Sequence, residues 1–420
     1  MSVGTGELVR LLSGRLPRKP EALAALRDRR LRALVRSAYE RVPYYRALFD
    51  DAGLGPRDVR SADDLRHLPV STRDALRAAG EGARARGVDW SATRVVHTSG
   101  SSGKPWAVHR TRAEDRLRRA VEFRSMRHTG IRPTDVIALL GAVRNAPRRP
   151  LERCGLFRVI EVSPLLPVER QIERLREIRP SVFWVYPTAL RALLAAAESL
   201  EAVIEPRMVV TSAEPLDEPL RRRAFDRRPI ETRNFYGSAE IGRIGWECGE
   251  HRGLHVNVDC VILELLEDDD LPGAGRSVVA TNLNSHAMPF LRYRLGDRCA
   301  WVEGGCPCGS PLPLIRPPVG REWDVLRLPS GRMVSPWGLN VFLRDLPGLL
   351  QFRFVQKRRD RLEVQLRFSR PPASATLESL RERIASHLGE PISIEIAPVD
   401  AIGEGTLKFR SFLSELERED

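Results

Sequence analysis

The chain has 420 residues, 42% hydrophobic and 29% charged, enough apolar mass for one large domain and a smaller one. Its net charge of +13 comes from 68 basic residues, but only Lys19, Lys104, Lys357 and Lys408 are lysines, and the arginines alternate with acids instead of forming one run. That scatter argues against a nucleic-acid groove, and no apolar stretch approaches the length of a membrane span. The six cysteines, with no secretory leader ahead of them, predict a reduced, cytoplasmic chain, not a disulfide framework.

Amphipathic helical spacing runs from Glu7 to about Asp51. A loop with Pro56 and Pro69 follows, then a short helix over Thr72 to Ala79. Thr93 to His97 reads as a strand, and Ala113 to Thr129 as a helix. Strands VIALLG, SVFWVYP, RMVVTSAEP and ETRNFYG then alternate with helices near Val168 to Ile178, Thr188 to Ser199 and Leu216 to Phe225. That alternation predicts an α/β domain on a largely parallel sheet. After Glu240 the pieces CVILELLE, RSVVATNL and CAWVE predict a β subdomain at about 245–320. From about Trp323 the chain restarts as strands, a helix over Thr376 to Leu388 and a last strand PISIEIAPV, a βαβ-like α+β tail. The expected division is therefore 1–322 and 323–420.

HTSGSSGKP, from His97 to Pro105, puts glycine and hydroxyl groups ahead of Lys104. Close backbone approach, donors and one fixed charge together favour a phosphate. The spacing excludes a Walker loop, because Gly100 lies only three before Gly103, Thr98 occupies the required glycine position and Pro105 replaces the metal-binding hydroxyl. Further along stand TSAEPL (Thr211 to Leu216), NFYGSAE (Asn234 to Glu240), LRYRLGD (Leu291 to Asp297), GREWD (Gly320 to Asp324) and GEGTLKFRSF around Lys408. Cys248 and His255 lie in ECGEHRGLH, and Cys306 and Cys308 in GGCPCGS. Two such thiolate–imidazole pieces can converge on a tetrahedral Zn²⁺ of structural type, with His251 as the alternative imidazole and free thiols as the competing reading. Cys154, Cys260 and Cys299 are expected to pack as small hydrophobes.

In order and separation these segments resemble the motifs of the adenylate-forming superfamily of acyl-CoA synthetases, and most narrowly the phenylacetate–CoA ligase family with its capsule-biosynthesis relatives. The resemblance covers nearly the whole chain. It implies an ATP-binding loop at Thr98, Ser99, Gly100, Ser101, Ser102, Gly103 and Lys104, and an adenine-side segment at Ala213, Glu214 and Pro215. Tyr236 would stack on adenine beside Gly237 and Ser238, Glu240 would hold Mg²⁺, Asp297 would accept from the ribose hydroxyls, and Arg321 would lie near ribose or phosphate. Leu295 and Leu407 stand where the family has threonine and glycine, and Ala239 stands where it often has threonine. Lys408 becomes the adenylation lysine, Asp324 the hinge of a mobile C-terminal lid, and Gly141, Ala142, Tyr186 and Gly237 the lining of the acid pocket.

The implied activity is activation of a small-molecule carboxylic acid to an acyl-adenylate, followed by transfer to CoA. PSGRMVSPWGLN, after Asp324, departs from the family's pantetheine-tunnel loop, which keeps an amine or a carrier protein open as the acceptor.

Overall fold

The computed structural model describes residues 5–17, 19–97, 106–141, 154–197, 200–214, 216, 220–221, 230–267, 275–318, 320–321, 326–334, 339, 342–343, 346–370, 372–402 and 411–416. The chain forms two compact units, the first from 1–131, 234–267 and 276–318 and the second from 132–233, 268–275 and 319–420.

In the first unit the amphipathic N-terminal stretch is three helices, α1 (Thr5–Ser13), α2 (Pro20–Arg41) and α3 (Pro43–Asp51). Pro20 and Pro43 each open a helix, where a missing N–H is no loss. The short α4 (Arg73–Ala78) is capped by Thr72, whose hydroxyl accepts from the Ala75 N–H. Strands β1 (Arg94–His97) and β2 (Ala107–Arg110) pair antiparallel, with His97 opposite Ala107. Helix α5 (Arg112–Thr129) begins in a Thr111/Glu114 capping box and ends at left-handed Gly130.

The second unit carries the parallel sheet. β3 (Val136–Leu140), β4 (Arg158–Val162), β5 (Val182–Val185) and β6 (Met208–Ser212) lie in the order β6-β5-β3-β4, all parallel. Helices α6 (Val168–Ile178) and α7 (Pro187–Ala196) alternate with them. Runs such as VFWV and MVVTS are buried throughout, as expected of strands covered on both faces. The helix expected over Leu216 to Phe225 falls largely outside the described residues.

ETRNFYG departs from the alternating series. β7 (Glu231–Ser238) turns back within a few residues into β8 (Gly242–Glu247), and a turn that short permits only antiparallel pairing. In the first unit the antiparallel order β13-β14-β9-β8-β7 continues, with β9 (Leu254–Val256), β13 (Trp301–Val302) and β14 (Leu314–Ile315). A second antiparallel set joins β10 (Val261–Leu266), β11 (Arg276–Asn282) and β12 (Tyr293–Cys299). The core beneath these strands includes Tyr45, Phe49, Tyr236, Ile244, Phe290 and Tyr293. Cys260 and Cys299 are buried as small hydrophobes, whereas Cys154 is exposed.

The C-terminal part of the second unit has its own core around Phe352, Phe354, Leu366 and Ile384. After the two-residue β15 (Gly320–Arg321), β16 (Leu326–Arg327) and β17 (Met333–Val334) form a hairpin. Its turn needs Gly331, which sits at φ +87°. β18 (Leu349–Arg358) and β19 (Arg361–Phe368) form a second hairpin, and α8 (Ser374–Leu388) leads to β20 (Ser393–Pro398), parallel to β19. The expected βαβ tail is therefore present, and β21 (Phe412–Ser414) adds parallel to β18.

Candidate active site and metal cluster

The β7–β8 hairpin carries the NFYGSAE segment. Tyr236 is buried on β7, and its hydroxyl donates to Asp297 Oδ2 of β12 at 2.9 Å. The register slips between Tyr236 and Gly237, which brings Gly237 against Gly242. A Cβ on Gly237 would lie 2.3 Å from the Gly242 carbonyl oxygen, so only glycine fits. Gly242 itself takes a left-handed φ of +86° to close the turn.

Several side chains fix that turn. The Ser238 hydroxyl accepts from the Ile241 N–H at 3.1 Å, and Asn282 Nδ2 donates to the carbonyls of Glu240 (3.1 Å) and Ile241 (3.2 Å). Arg110 donates to the Ala239 carbonyl. Glu240 is buried; its Oε1 accepts from the Tyr293 hydroxyl at 3.2 Å and faces Arg73 Nη2 at 3.8 Å. Burial and the Glu240 charge push the Tyr293 hydroxyl well above the ordinary tyrosine range, so it stays a donor. Arg73 also lies over the Trp106 ring, 6.0 Å from its centroid, and Trp106 packs on Phe290 and Tyr293. The residue that follows Pro105 thus sits within the Glu240 cluster. Residues 98–105, including Lys104, lie outside the described residues.

In the second unit Glu214 Oε2 accepts from the Thr188 N–H (2.9 Å) and hydroxyl (2.6 Å), which holds the start of α7. Ala213 takes a left-handed φ of +70°, an unusual conformation for a residue with a Cβ. Gly141 lets Tyr186 approach: a Cβ there would lie 2.9 Å from the tyrosine ring. Arg321 lies in β15. Ala142, Pro215, Asp324 and Lys408 lie outside the described residues.

The Cys/His cluster sits at the other end of the β8 hairpin. Cys248 follows β8, His255 lies in β9 with Trp246 and Leu314 as register partners, and Cys306 and Cys308 occupy the β13–β14 connection. Cys248 Sγ is 3.5 Å from Cys306 Sγ; His255 Nε2 is 3.3 Å from Cys248 Sγ and 3.4 Å from Cys308 Sγ. All four donor atoms lie within 4.8 Å of one another. The edges of a tetrahedron with Zn–S near 2.3 Å and Zn–N near 2.0 Å are about 3.4 to 3.8 Å, so the donor set fits one ion.

His251 is excluded from the cluster. Its Nδ1 engages Glu247 at 3.0 Å instead. Burial pushes His255 down to about 4, against a Leu312 backbone hydrogen bond that favours the charged form. Its imidazole is therefore neutral at pH 7, the form that ligates a metal. Burial pushes the Cys248 thiol up to about 12 in the absence of a cation, and a bound cation would reverse that preference.

Four curated proteins named phenylacetate–coenzyme A ligase match the chain. The one from Thermus thermophilus is 29% identical, over 91% of this chain and 92% of its own length. The Escherichia coli protein is 29% identical over 68% of each chain. A crystal structure of a 2-hydroxyisobutyryl-CoA ligase, in the postadenylation state in complex with R3-HIB-AMP, superimposes with a TM-score of 0.76 at 21% identity, over 93% of this chain and 89% of that one. No family model matches.

The chain is thus similar, over most of its length, to phenylacetate–CoA ligases and shares the fold of a solved acyl-CoA ligase. Its mixed α/β architecture is the one the solved CoA ligases share. The structure brings Tyr236 and Asp297 together and sets Glu240 in the same hairpin turn. It also places beside them Tyr293, Arg73 and Asn282, which the sequence motifs did not single out. Tyr293 stood inside LRYRLGD, four residues before Asp297 and therefore on the same strand face, a signal that could have found it. Arg73 and Asn282 had no local signal.

Proposed function

We propose that this adenylate-forming chain couples a carboxylic acid to CoA through an acyl-adenylate. The substrate carboxylate attacks the α-phosphorus of ATP, the α–β phosphoanhydride bond breaks and pyrophosphate leaves; the CoA thiolate then displaces AMP from the acyl carbon. The observation that carries this reading is the Tyr236–Asp297 hydrogen bond beside Glu240, because it brings a ribose acceptor on β12 to an aromatic face and a buried carboxylate on the β7–β8 hairpin. Asp297 would accept from the ribose hydroxyls, and Tyr236, with its hydroxyl tethered, would present a face to adenine beside Gly237, Ser238 and the Ala213–Glu214–Pro215 segment. Glu240 would hold Mg²⁺, which neutralises phosphate charge when bound.

Thr98 to Lys104 would hold the departing pyrophosphate, with Arg321 near ribose or phosphate, and Lys408 would bridge the carboxylate and the α-phosphate. Gly141, Ala142, Tyr186 and Gly237 would line the acid pocket. Asp324 would be the hinge between 1–322 and 323–420. Cys248, His255, Cys306 and Cys308 would hold a structural zinc, whose four protein ligands leave no position open for chemistry.

CoA is the acceptor in this reading because the matched relatives named as CoA ligases extend over most of the chain. Acid-dependent ATP–pyrophosphate exchange tests the first half-reaction. Lys408→Ala should abolish exchange while sparing transfer from a preformed acyl-adenylate; normal exchange in that variant would show the lysine misassigned. Incubation with CoA, then amines, then carrier proteins, followed by AMP release, identifies the acceptor.

A further inference from the structure

A second charged site lies behind the Glu240 turn. Arg110, Arg118, Arg243, Asn282, Asn284 and Ser285 line one pocket of the first unit, together with Glu114, Cys260 and the apolar Val121, Ile241 and Val261. Arg110 closes β2 and is only 5% exposed. It donates to a neutral carbonyl, that of Ala239, and among the described residues no carboxylate forms an ion pair with it. Burial, and Arg118 nearby, push its guanidinium down to about 10. Glu114, Asp115 and Glu240 favour its charged form from beyond ion-pair distance, so a closer anion would stabilise this buried cation further.

The neighbouring carboxylates are already engaged. Glu114 accepts from the Thr111 N–H and hydroxyl and from the N–H groups of His286 and Ala287. Asp115 is shared among Arg94, Arg118 and Arg119, and Glu122 pairs with Arg243 at 2.5 Å. The pocket's own lining carries three guanidiniums (Arg110, Arg118 and Arg243) against one carboxylate (Glu114), a surplus of two. Asn284 gives its backbone N–H to Asn282 Oδ1, and its side-chain amide has no partner among the described residues.

We infer that this pocket binds a phosphate-type oxyanion, free or carried by a larger molecule, with Arg110 as its central donor. A dianion matches the charge surplus, and guanidinium and carboxamide donors suit its oxygens. The inference stands without the ligase reading, since it uses no step of the reaction.

The test is thermal unfolding of the full chain in inorganic phosphate against chloride at equal ionic strength. Phosphate should raise the midpoint saturably, by about 1–2 °C at roughly tenfold excess over its dissociation constant. Lys104→Ala, which removes the phosphate donor proposed for the nucleotide loop, should retain the rise; Arg110→Gln should lose it, and Asn284→Ala should need several-fold more phosphate. Should Arg110→Gln fail to fold, Arg118→Gln and Asn284→Ala decide the matter. A rise by CoA but not dephospho-CoA identifies a carried phosphate, and a rise by inorganic phosphate alone identifies a free one; both support the site. No rise in the parent chain, an undiminished rise in the pocket variants, or its loss in Lys104→Ala would overturn it.

Discussion

The two ends of the β7–β8 hairpin are held in different ways. At the turn, donation from Asn282 and Arg110 to backbone carbonyls and from the Ile241 N–H to Ser238 Oγ fixes the backbone around Glu240, and every partner is supplied by the chain itself. At the other end, Cys248 meets His255, Cys306 and Cys308 through sulfur and imidazole donors, which make weak hydrogen bonds with one another. The turn is thus organised before any ligand arrives, whereas the cluster would gain most of its cohesion from a bound ion. A binding site can be preorganised by main-chain contacts, while a soft donor set stabilises the fold only when it is filled.

Removing a cluster ligand should therefore have the largest effect. Cys306→Ser should abolish zinc retention, measured by elemental analysis, and destabilise the chain strongly, because structural zinc contributes on the order of 10 kcal/mol in small peptides. A variant that keeps both its metal content and its unfolding midpoint would erase the contrast between the two ends.

Asp259, just beyond β9, offers a metal-independent comparison. Its buried carboxylate accepts from Arg124 at 2.7 Å and Arg10 at 2.8 Å, which, despite the opposing effect of burial, holds it well below the ordinary carboxylate range. A carboxylate with a depressed folded-state pKa contributes stability that is present above its unfolded pKa of about 3.9 and lost as pH falls through the folded one. Asp259→Asn should cost about 3–5 kcal/mol at neutral pH by leaving buried arginines uncompensated, and should flatten the acid limb of stability measured below about pH 4. An unchanged acid limb would remove Asp259 from the network.

At the turn, Gly237→Ala should cost about 1–3 kcal/mol, since the added Cβ meets backbone and not a flexible side chain. Its exchange activity should fall by more than its stability. Tyr236→Phe should have the smallest effect, removing one hydrogen bond to Asp297 and raising the KM for ATP several-fold at nearly constant midpoint. A variant with the parent KM would separate that tyrosine from the nucleotide.

The parallel strands were legible because VIALL, VFWV and MVVTS are apolar runs bounded by helical periods, a pattern local to each segment. The direction of β7 was not, since period-two spacing does not encode which neighbour a strand pairs with or in which sense. Tyr236, Glu240 and Asp297 were legible as short motifs. Arg73 was not, because its approach to Glu240 joins residues far apart in the chain, and many exposed arginines share its local context. The choice of His255 over His251 depended on β9 register, which turns one ring into the cluster and leaves the other on Glu247. Cys154 failed as a hydrophobe because no packed element covers it in the described structure.

The most direct measurement is equilibrium binding of ATP to the parent chain and to Asp297→Ala, each checked for an equal unfolding midpoint. If Asp297 and Tyr236 share one nucleotide, binding should weaken at least tenfold, as expected from about 1.5–3 kcal/mol for hydrogen bonds to a charged acceptor. Equal affinity in the two proteins would contradict a nucleotide role for the Tyr236–Asp297 pair.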